Sequence, residues 1–362
     1  MITIKNVKTF SGAIVNHTID SPLTQVIDGE QRLLMMPAMI DVDAMIPTAS
    51  LEKKAHLYLE AGITTIFDAV ACSAIDIPAR LQQIEQLAAK NGEPLRVELF
   101  YDGNLPEEFD TIGKIKSSVV AIKISLDLAE KPIAPPHTSA LDRLFQIAAQ
   151  ENMIVVIALL QGKKSVADQR ETAWAYVEQA INLAEKYSTG LCLQHVRTHE
   201  ELELIKKAKE RGLLIYVEVA YPHLFLNNKE FPQGITFNDA TLFLPNERDQ
   251  ADLWDGVRDG AIDMIGSAGI FSPPALLLPL LFEAQAEKRI SMDRIVEITR
   301  INQEAIFRLP PNQDVVLIDP KNYKEIPQTV TNGNPIFSRW QGKSLSGWPV
   351  HIITSNKVIS LP

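Results

Sequence analysis

The middle of the chain alternates short apolar runs with longer segments whose apolar residues recur at helical spacing. Such alternation predicts parallel β-strands joined by amphipathic helices. A doubly wound open sheet is the alternative architecture, but no glycine-rich phosphate turn follows the first run. We therefore predict an α/β fold of the (β/α)8 TIM-type barrel class. The predicted barrel strands cover residues 39–42, 63–67, 96–101, 121–125, 154–159, 191–195, 214–218 and 263–266.

Both ends of the chain instead consist of short predicted strands separated by turn residues. These strands cover residues 1–7, 12–19, 24–27, 314–318, 350–354 and 357–361. Two β-rich ends around one long middle predict a small β-sandwich domain built from both termini. We place this domain at residues 1–36 plus 311–362, which leaves residues 37–310 for the barrel.

The charge and composition of the chain argue against some classes of binding partner. The chain carries a formal net charge of −10 at pH 7, which argues against non-specific binding of nucleic acid. No uncharged apolar run reaches the roughly 20 residues of a membrane-spanning helix, and the first residues lack the apolar core of a signal peptide. The two cysteines, Cys72 and Cys192, lie far apart in apolar surroundings, which is typical of buried free thiols. We expect a cytoplasmic protein with no nucleic-acid or membrane partner.

Several motifs resemble those of dihydroorotases and related cyclic amidohydrolases of the amidohydrolase superfamily. Residues 37–45 read P-A-M-I-D-V-D-A-M, where this family has P-G-x-I-D-x-H-x-H at the end of the first barrel strand. Residues 62–68 (G-I-T-T-I-F-D) resemble the second-strand motif, and residues 217–226 (V-E-V-A-Y-P-H-L-F-L) resemble the family's E-V-x-P-H-H-L-x-L segment. The resemblance implies a barrel with an appended β-sandwich and, in active members, metal-assisted hydrolysis of a ring amide.

At several positions the chain departs from the residues that active family members use. Asp43 and Met45 stand where the family has its first two metal-binding histidines. A thioether is a poor ligand for zinc, which prefers imidazole, thiolate or carboxylate groups. Pro47 stands near the place of the substrate-binding arginine, and Ala71 near that of an asparagine. Neither side chain can hold a substrate carboxylate or amide.

Four further positions complete the comparison with the family's catalytic set. Lys123 matches the carboxylated lysine in context, His195 matches one histidine ligand, and His223 lies within one residue of another. The alternative is that Lys123 reaches solvent from a strand end and that both histidines are hydrogen-bonded structural residues. Ala268 occupies the place of the aspartate that acts as general base. A methyl group can neither bind a metal nor carry a proton, so we expect a vestigial site.

A hard-cation site is a separate alternative for the acidic residues near the predicted barrel mouth. Asp41, Asp43 and Asp68 would have to cluster at one end of the barrel to bind such an ion. Asp41 instead matches the aspartate that precedes the family's metal-binding pair, where it would support the backbone. Asp68 ends the second strand and would then cap the following turn.

Three functions are compatible with the sequence. The first is a catalytically inactive dihydroorotase-like protein, for which the resemblance implies a role as non-catalytic partner of aspartate transcarbamoylase in pyrimidine synthesis; no cofactor is then expected. The second is an active cyclic amidohydrolase with one zinc ion held by Asp43, Lys123, His195 and His223. The third is a protein that binds a small molecule at the barrel mouth without turnover. The resemblance also implies a homodimer.

Overall fold

The structure is a computed structural model, which describes the chain except residues 45–50, 92–94, 128–134, 161–169, 233, 238–239, 270–271, 327–338 and 362. Only the backbone is described at residues 51–53, 69–71, 87–91, 127, 135–138, 160, 235–237 and 240–241.

The strands of the described part are short and are distributed along the whole chain. In chain order they are β1 (Ile2–Lys8), β2 (Ile14–Ile19), β3 (Gln25–Asp28), β4 (Leu34–Pro37), β5 (Met39–Ala44), β6 (Ile63–Cys72), β7 (Arg96–Asp102), β8 (Ala121–Asp127), β9 (Val155–Leu160), β10 (Leu191–Gln194), β11 (Ile215–Ala220), β12 (Ile235–Phe237), β13 (Ala240–Leu242), β14 (Met264–Gly266), β15 (Val315–Ile318), β16 (Lys324–Glu325), β17 (Ser344–Leu345), β18 (Pro349–Ile353) and β19 (Val358–Ser360).

The helices lie almost entirely between the strands of the middle region. They are α1 (Leu51–Glu60), α2 (Asp76–Asn91), α3 (Ile112–Ile115), α4 (Pro135–Glu151), α5 (Arg170–Tyr187), α6 (His199–Glu210), α7 (Tyr221–Phe225), α8 (Glu247–Asp259), α9 (Leu277–Ala286), α10 (Met292–Val296) and α11 (Asn302–Phe307). Short 3-10 turns cover Pro106–Thr111, Lys116–Ser118 and Pro274–Leu276, and a π-helical turn covers Glu297–Ile301. Within the described residues, no helix is both long enough and apolar enough to cross a membrane.

Eight strands form the barrel predicted from the sequence. Their order is β14-β11-β10-β9-β8-β7-β6-β5, and every recorded pairing within this sheet is parallel. The first and last strands meet through a side chain, because Oδ1 of Asp41 accepts hydrogen bonds from the backbone N–H groups of Ser267 (3.0 Å) and Asp43 (3.1 Å). The (β/α)8 prediction is therefore confirmed, with strand ends that mostly differ by one or two residues.

An apolar layer fills the lower part of the barrel. Alternate strand residues point inward, since successive side chains on a strand face opposite sides. Ile306 and Phe307 of α11 belong to the same buried cluster and pack beneath these inward-facing residues. The strand members of the cluster are Ile40, Val42, Phe67, Phe100, Ala121, Val156, Cys192 and Met264.

The two chain ends form one small β domain, as predicted. A seven-stranded sheet runs β19-β18-β15-β4-β1-β2, with β3 paired to β1. The strand β4, which the sequence pattern did not predict, joins the two ends because it pairs antiparallel with β15 and also contacts β1. A separate two-stranded sheet, β16 with β17, accompanies it. The boundaries at residues 36/37 and 310/311 stay predictions.

Candidate functional site

A polar layer lies directly above the apolar filling of the barrel. Two positions before each residue of this layer, the same strand carries a residue that belongs to the interior apolar cluster or packs against it. Residues two apart on a strand face the same side and are separated by about 6.6 Å, so this layer lies one step nearer the carboxyl ends of the strands. In barrel proteins that end carries the functional sites. The members of the layer are Lys123, Gln194, Glu218 and Gly266.

An ion cluster occupies the centre of this layer. Asp43 contacts two other side chains of the site. Its Oδ2 lies 2.6 Å from Nε2 of His195, and its Oδ1 lies 3.4 Å from Nζ of Lys123. All three side chains are at least 96% buried. Burial raises the pKa of Asp43, but the charges of His195 and Lys123 outweigh it and lower that pKa below its ordinary value. Burial lowers the pKa of His195, and the adjacent Asp43 carboxylate reverses the effect and raises it. The cluster is therefore a carboxylate between two cations.

The backbone at His195 adopts an uncommon conformation. Its φ is 62°, in the left-handed region that residues other than glycine seldom adopt. Its backbone N–H donates a hydrogen bond of 2.9 Å to Oε2 of Glu218. One step earlier, the Gln194 side-chain amide donates to the backbone carbonyl of Val42 at 3.0 Å. The first bond holds the end of β10 against its neighbour β11, and the second holds it across the barrel interior to β5, so that the imidazole faces Asp43.

Glu218 is the site residue that our sequence analysis missed. It is fully buried, and burial raises its pKa to about 7, with the charge of His195 acting in the opposite direction. Its Oε1 has no hydrogen-bonding partner among the described residues. A Cβ added at Gly266 would lie 2.5 Å from this oxygen, so the glycine makes room for the carboxyl group. The signal in the sequence is an acid at an inward-facing position of an otherwise apolar strand.

The acidic residues of the proposed hard-cation cluster have other partners. Asp41 bridges β5 and β14, and burial raises its pKa to about 6, while hydrogen bonds from Ser267 act in the opposite direction. Asp68 forms a buried ion pair with Arg80 of α2, whose Nε lies 3.1 Å from Oδ2. The interpretation of Asp41 as backbone support is confirmed. Asp68 neutralises an arginine, and its interpretation as a turn cap stays a prediction.

His223 lies in the short helix α7 and is fully buried. Within the described part of the chain, neither ring nitrogen makes a hydrogen bond of normal geometry, and the backbone of Phe243 is the group that acts to raise the pKa of His223. Burial lowers the pKa of His223 well below its ordinary value, and the charges of His195 and Arg197 lower it further. The imidazole is therefore neutral and has an available lone pair.

The position predicted for a general base is buried and apolar. Ala268 follows β14, is fully buried, and has a φ of 58°. Its methyl group provides no atom that exchanges a proton. Leu159 near the end of β9 is also buried and apolar. Met45 and Pro47 lie outside the described residues, and so does the side chain of Ala71.

The described residues do not fit a bound divalent ion. Among them, no three His, Cys, Asp or Glu side chains are grouped so that they could hold a metal. The carboxylate of Asp43 already faces His195 and Lys123, which a cation would have to displace. The absence of a resident metal stays a prediction, and no catalytic step is derived through one.

Sequence comparison relates the chain to enzymes of pyrimidine and hydantoin metabolism. It is 24% identical to the multifunctional protein pyrABCN of Emericella nidulans over 372 aligned residues, which cover 99% of this chain but 15% of that protein. It is 28% identical to a dihydroorotase of Thermus aquaticus over 194 residues, which cover 47% of this chain and 45% of the relative. The chain thus matches only part of the length of either protein. No protein-family model matches it.

Solved structures share the fold of this chain. An L-hydantoinase (dihydropyrimidinase) of Arthrobacter aurescens superposes with a TM-score of 0.78 at 16% identity, covering 99% of this chain and 96% of the other. The inactive dihydroorotase-like domain of a CAD-like multifunctional protein of Chaetomium thermophilum gives a TM-score of 0.69 at 18% identity, covering 91% and 97%. At these identities the structural likeness shows the fold.

Fold and site together define a (β/α)8 barrel protein with a terminal β domain. In sequence the chain is similar to dihydroorotases, the resemblance that its motifs predicted, and to a D-hydantoinase.

Proposed function

We propose that this chain is a catalytically inactive dihydroorotase-like protein that acts in pyrimidine synthesis as a non-catalytic partner of aspartate transcarbamoylase. One observation carries the proposal of inactivity. The side chains at three positions that match or replace the family's metal-binding set, Asp43, Lys123 and His195, neutralise one another in a buried cluster.

The chemistry of Lys123 supports the same conclusion. Carboxylation of a lysine requires a neutral amine and produces an anionic carbamate. Here Nζ of Lys123 lies 3.4 Å from the carboxylate of Asp43 and forms a buried ion pair with it. A carbamate in its place would stand beside that carboxylate without a cation between them, and buried like charges repel strongly. The contact with Asp43 therefore opposes carboxylation of this lysine.

The missing base adds to the loss of activity. Ala268 cannot accept a proton, and the nearby carboxyl group of Glu218 is buried beneath the mouth with its pKa raised to about 7. Removal of one member of a catalytic unit typically costs a factor of roughly 10⁴ in rate. With the metal-binding set neutralised as well, we expect no measurable turnover.

The proposed partner rests on the relatives. The alignment with the multifunctional protein covers nearly this whole chain, and a structural neighbour is an inactive dihydroorotase-like domain of a CAD-like protein. A barrel without catalysis still provides a large, stable surface for docking. Copurification with aspartate transcarbamoylase from the same organism, followed by size-exclusion chromatography of the mixture, tests this part. Separate elution of the two proteins at micromolar concentrations would contradict it.

The test of inactivity combines metal analysis with assays in both directions. We expect no stoichiometric metal after gentle purification, and no closure of carbamoyl aspartate or opening of dihydroorotate above the buffer rate. An active dihydroorotase assayed in parallel is the positive control. Asp43→Asn should leave the background rate unchanged. Bound metal together with turnover that Asp43→Asn abolishes would overturn the proposal.

A second candidate is favoured by the unpartnered imidazole of His223. It is a cyclic amidohydrolase with one zinc ion held by Asp43, Lys123, His195 and His223, for which Asp43 would have to leave its present partners. Zinc titration by calorimetry distinguishes the two functions. Tight binding of one zinc ion that His223→Asn weakens at least tenfold would favour the second candidate over the first.

A further inference from the structure

A basic cavity lies on the opposite end of the barrel from the ion cluster. It is formed where helices α8 and α9 end and where α10 begins, and those helix ends lie at the amino ends of the barrel strands. The volume is about 390 Å³, within the range of small-ligand sites. The lining residues are Arg258, Gln285, Lys288, Arg289, Ile290, Ser291 and Arg294.

The charge of the cavity lining is opposite in sign to the net charge of the chain. The chain has a net charge of −10, whereas four of the seven lining residues are cationic and none is acidic. Arg258 and Arg294 pair with Asp255 and Glu297, and Arg289 lies 3.7 Å from Glu287. These acids lie outside the lining, so the cavity itself presents only positive charge.

Three of these cations can turn to a ligand, because the ion pairs of Arg258 with Asp255 and of Arg289 with Glu287 are solvent-exposed and contribute little to stability. Arg294 is committed to the protein, because its Nε donates to the carbonyl of Val257 at 2.7 Å and its other nitrogens bind Ile262 and Glu297. Arg258 is 47% exposed and Lys288 is exposed. The guanidinium of Arg289 lies 4.1 Å from the ring centroid of Trp254, and this stacking fixes the plane of its donors.

Helix capping does not explain these charges. The carbonyls at the end of α9 receive backbone hydrogen bonds, from Lys288 N–H to Gln285 at 2.9 Å and from Arg289 N–H to Ala284 at 2.8 Å. The side chains of Lys288 and Arg289 are therefore not needed as caps. Burial lowers the pKa of Arg289, the charge of Glu287 opposes this, and the like charge of Arg258 lowers it again. An anion in the cavity would relieve that repulsion.

We propose that this cavity binds the phosphate group of a small phosphorylated molecule. A planar guanidinium that is already held against an aromatic ring matches the oxygen geometry of a phosphate, and two further cations neutralise a dianion. The concave shape fits a small molecule in preference to an extended acidic peptide. The proposal is independent of whether the barrel mouth is catalytic.

Isothermal titration calorimetry tests the proposal at low ionic strength with inorganic phosphate, AMP and, as the uncharged counterpart, adenosine. We expect saturable one-site binding of phosphate and AMP, no binding of adenosine, and weaker binding as sodium chloride is raised. The double variant Arg258→Gln/Lys288→Asn should weaken binding at least about tenfold, since each lost charge-assisted contact removes a strong interaction. Asparagine suits position 288, where φ is 62°.

Arg211→Gln is the matched control. Arg211 is 47% exposed and paired with Glu185, as Arg258 is 47% exposed and paired with Asp255, but it lies outside the cavity. It should bind both probes like the unmodified protein. The proposal is overturned if neither probe binds at concentrations up to about 10 mM, the range of weak ligands. Equal weakening by Arg211→Gln and the double variant, or no weakening by either, would overturn it as well.

Discussion

Neutralising Asp43 should destabilise the barrel strongly, although the side chain keeps its shape. Asp43→Asn retains a hydrogen-bonding group beside His195 but removes the only carboxylate recorded in contact with Lys123. The surroundings exclude water, since Asp43 is 1% exposed and Lys123 is 3% exposed. The substitution therefore leaves a buried ammonium without its counter-ion.

The magnitude follows from the two interactions that are lost. Breaking a buried ion pair by removing one partner costs about 3–5 kcal/mol, mostly because the remaining charge is buried without compensation. His195 can release its proton when Asp43 is neutralised, because the Asp43 carboxylate is what raises the pKa of His195. The loss of the contact between Asp43 and His195 therefore adds less to the free-energy cost. Lys123 has no such interaction with another recorded acid. We therefore expect a loss near the lower end, about 3 kcal/mol.

Urea unfolding followed by tryptophan fluorescence and far-UV circular dichroism measures this change through the midpoint at constant slope. Asp142→Asn is the control, because its ion pair with Lys186 is exposed and its loss should shift the midpoint far less than the loss of the buried cluster. Lys123→Met together with Asp43→Asn should cost less than the sum of the two single variants, since they share one interaction. An Asp43→Asn protein as stable as the parent would refute the description of the cluster as a mutually neutralising one.

Two further predictions concern Glu218 and Gly266, which belong to the same polar layer as this cluster. The pKa of Glu218 rises from 4.5 to about 7 on folding, so its contribution to stability is complete below pH 4.5 and is lost as the pH rises through about 7. Glu218→Gln should remove that loss of about 3 kcal/mol. When the unfolding free energies of both proteins are measured between about pH 5 and 8, the variant should become increasingly more stable than the parent as the pH rises. Gly266→Ala should cost about 1–3 kcal/mol through the clash with Glu218. Gly113→Ala, whose added methyl meets only the movable end of Glu151, should cost far less when both variants are compared by urea unfolding.

The barrel strands were predictable because their signal is local. A buried parallel strand is a short apolar run, and the helix that follows has apolar residues on one side only. These patterns placed all eight barrel strands. The strand β4 was not predicted because its four residues, Leu34–Pro37, run directly into the first barrel strand without a turn signal. Its role is set by pairing with β15, nearly the whole chain away.

The candidate site was predictable only in part. Motif positions indicated Asp43, Lys123 and His195, but not that a carboxylate would lie between the other two. Glu218 was quoted within a motif and given no role, because a single acid in an apolar strand does not reveal which way it points. The pairing of Asp68 with Arg80 likewise depends on where α2 packs.

The sequence by itself determined the class of fold, the resemblance to dihydroorotases and related cyclic amidohydrolases, and the absence of a proton-carrying group at position 268. These depend on local periodicity and on the identity of single residues. Tertiary structure alone decided which charges neutralise each other at the barrel mouth and which converge in the basic cavity at the other end. Electrostatic energy depends on distance and burial in space, and residues 80 or 152 positions apart acquire both only when the barrel closes.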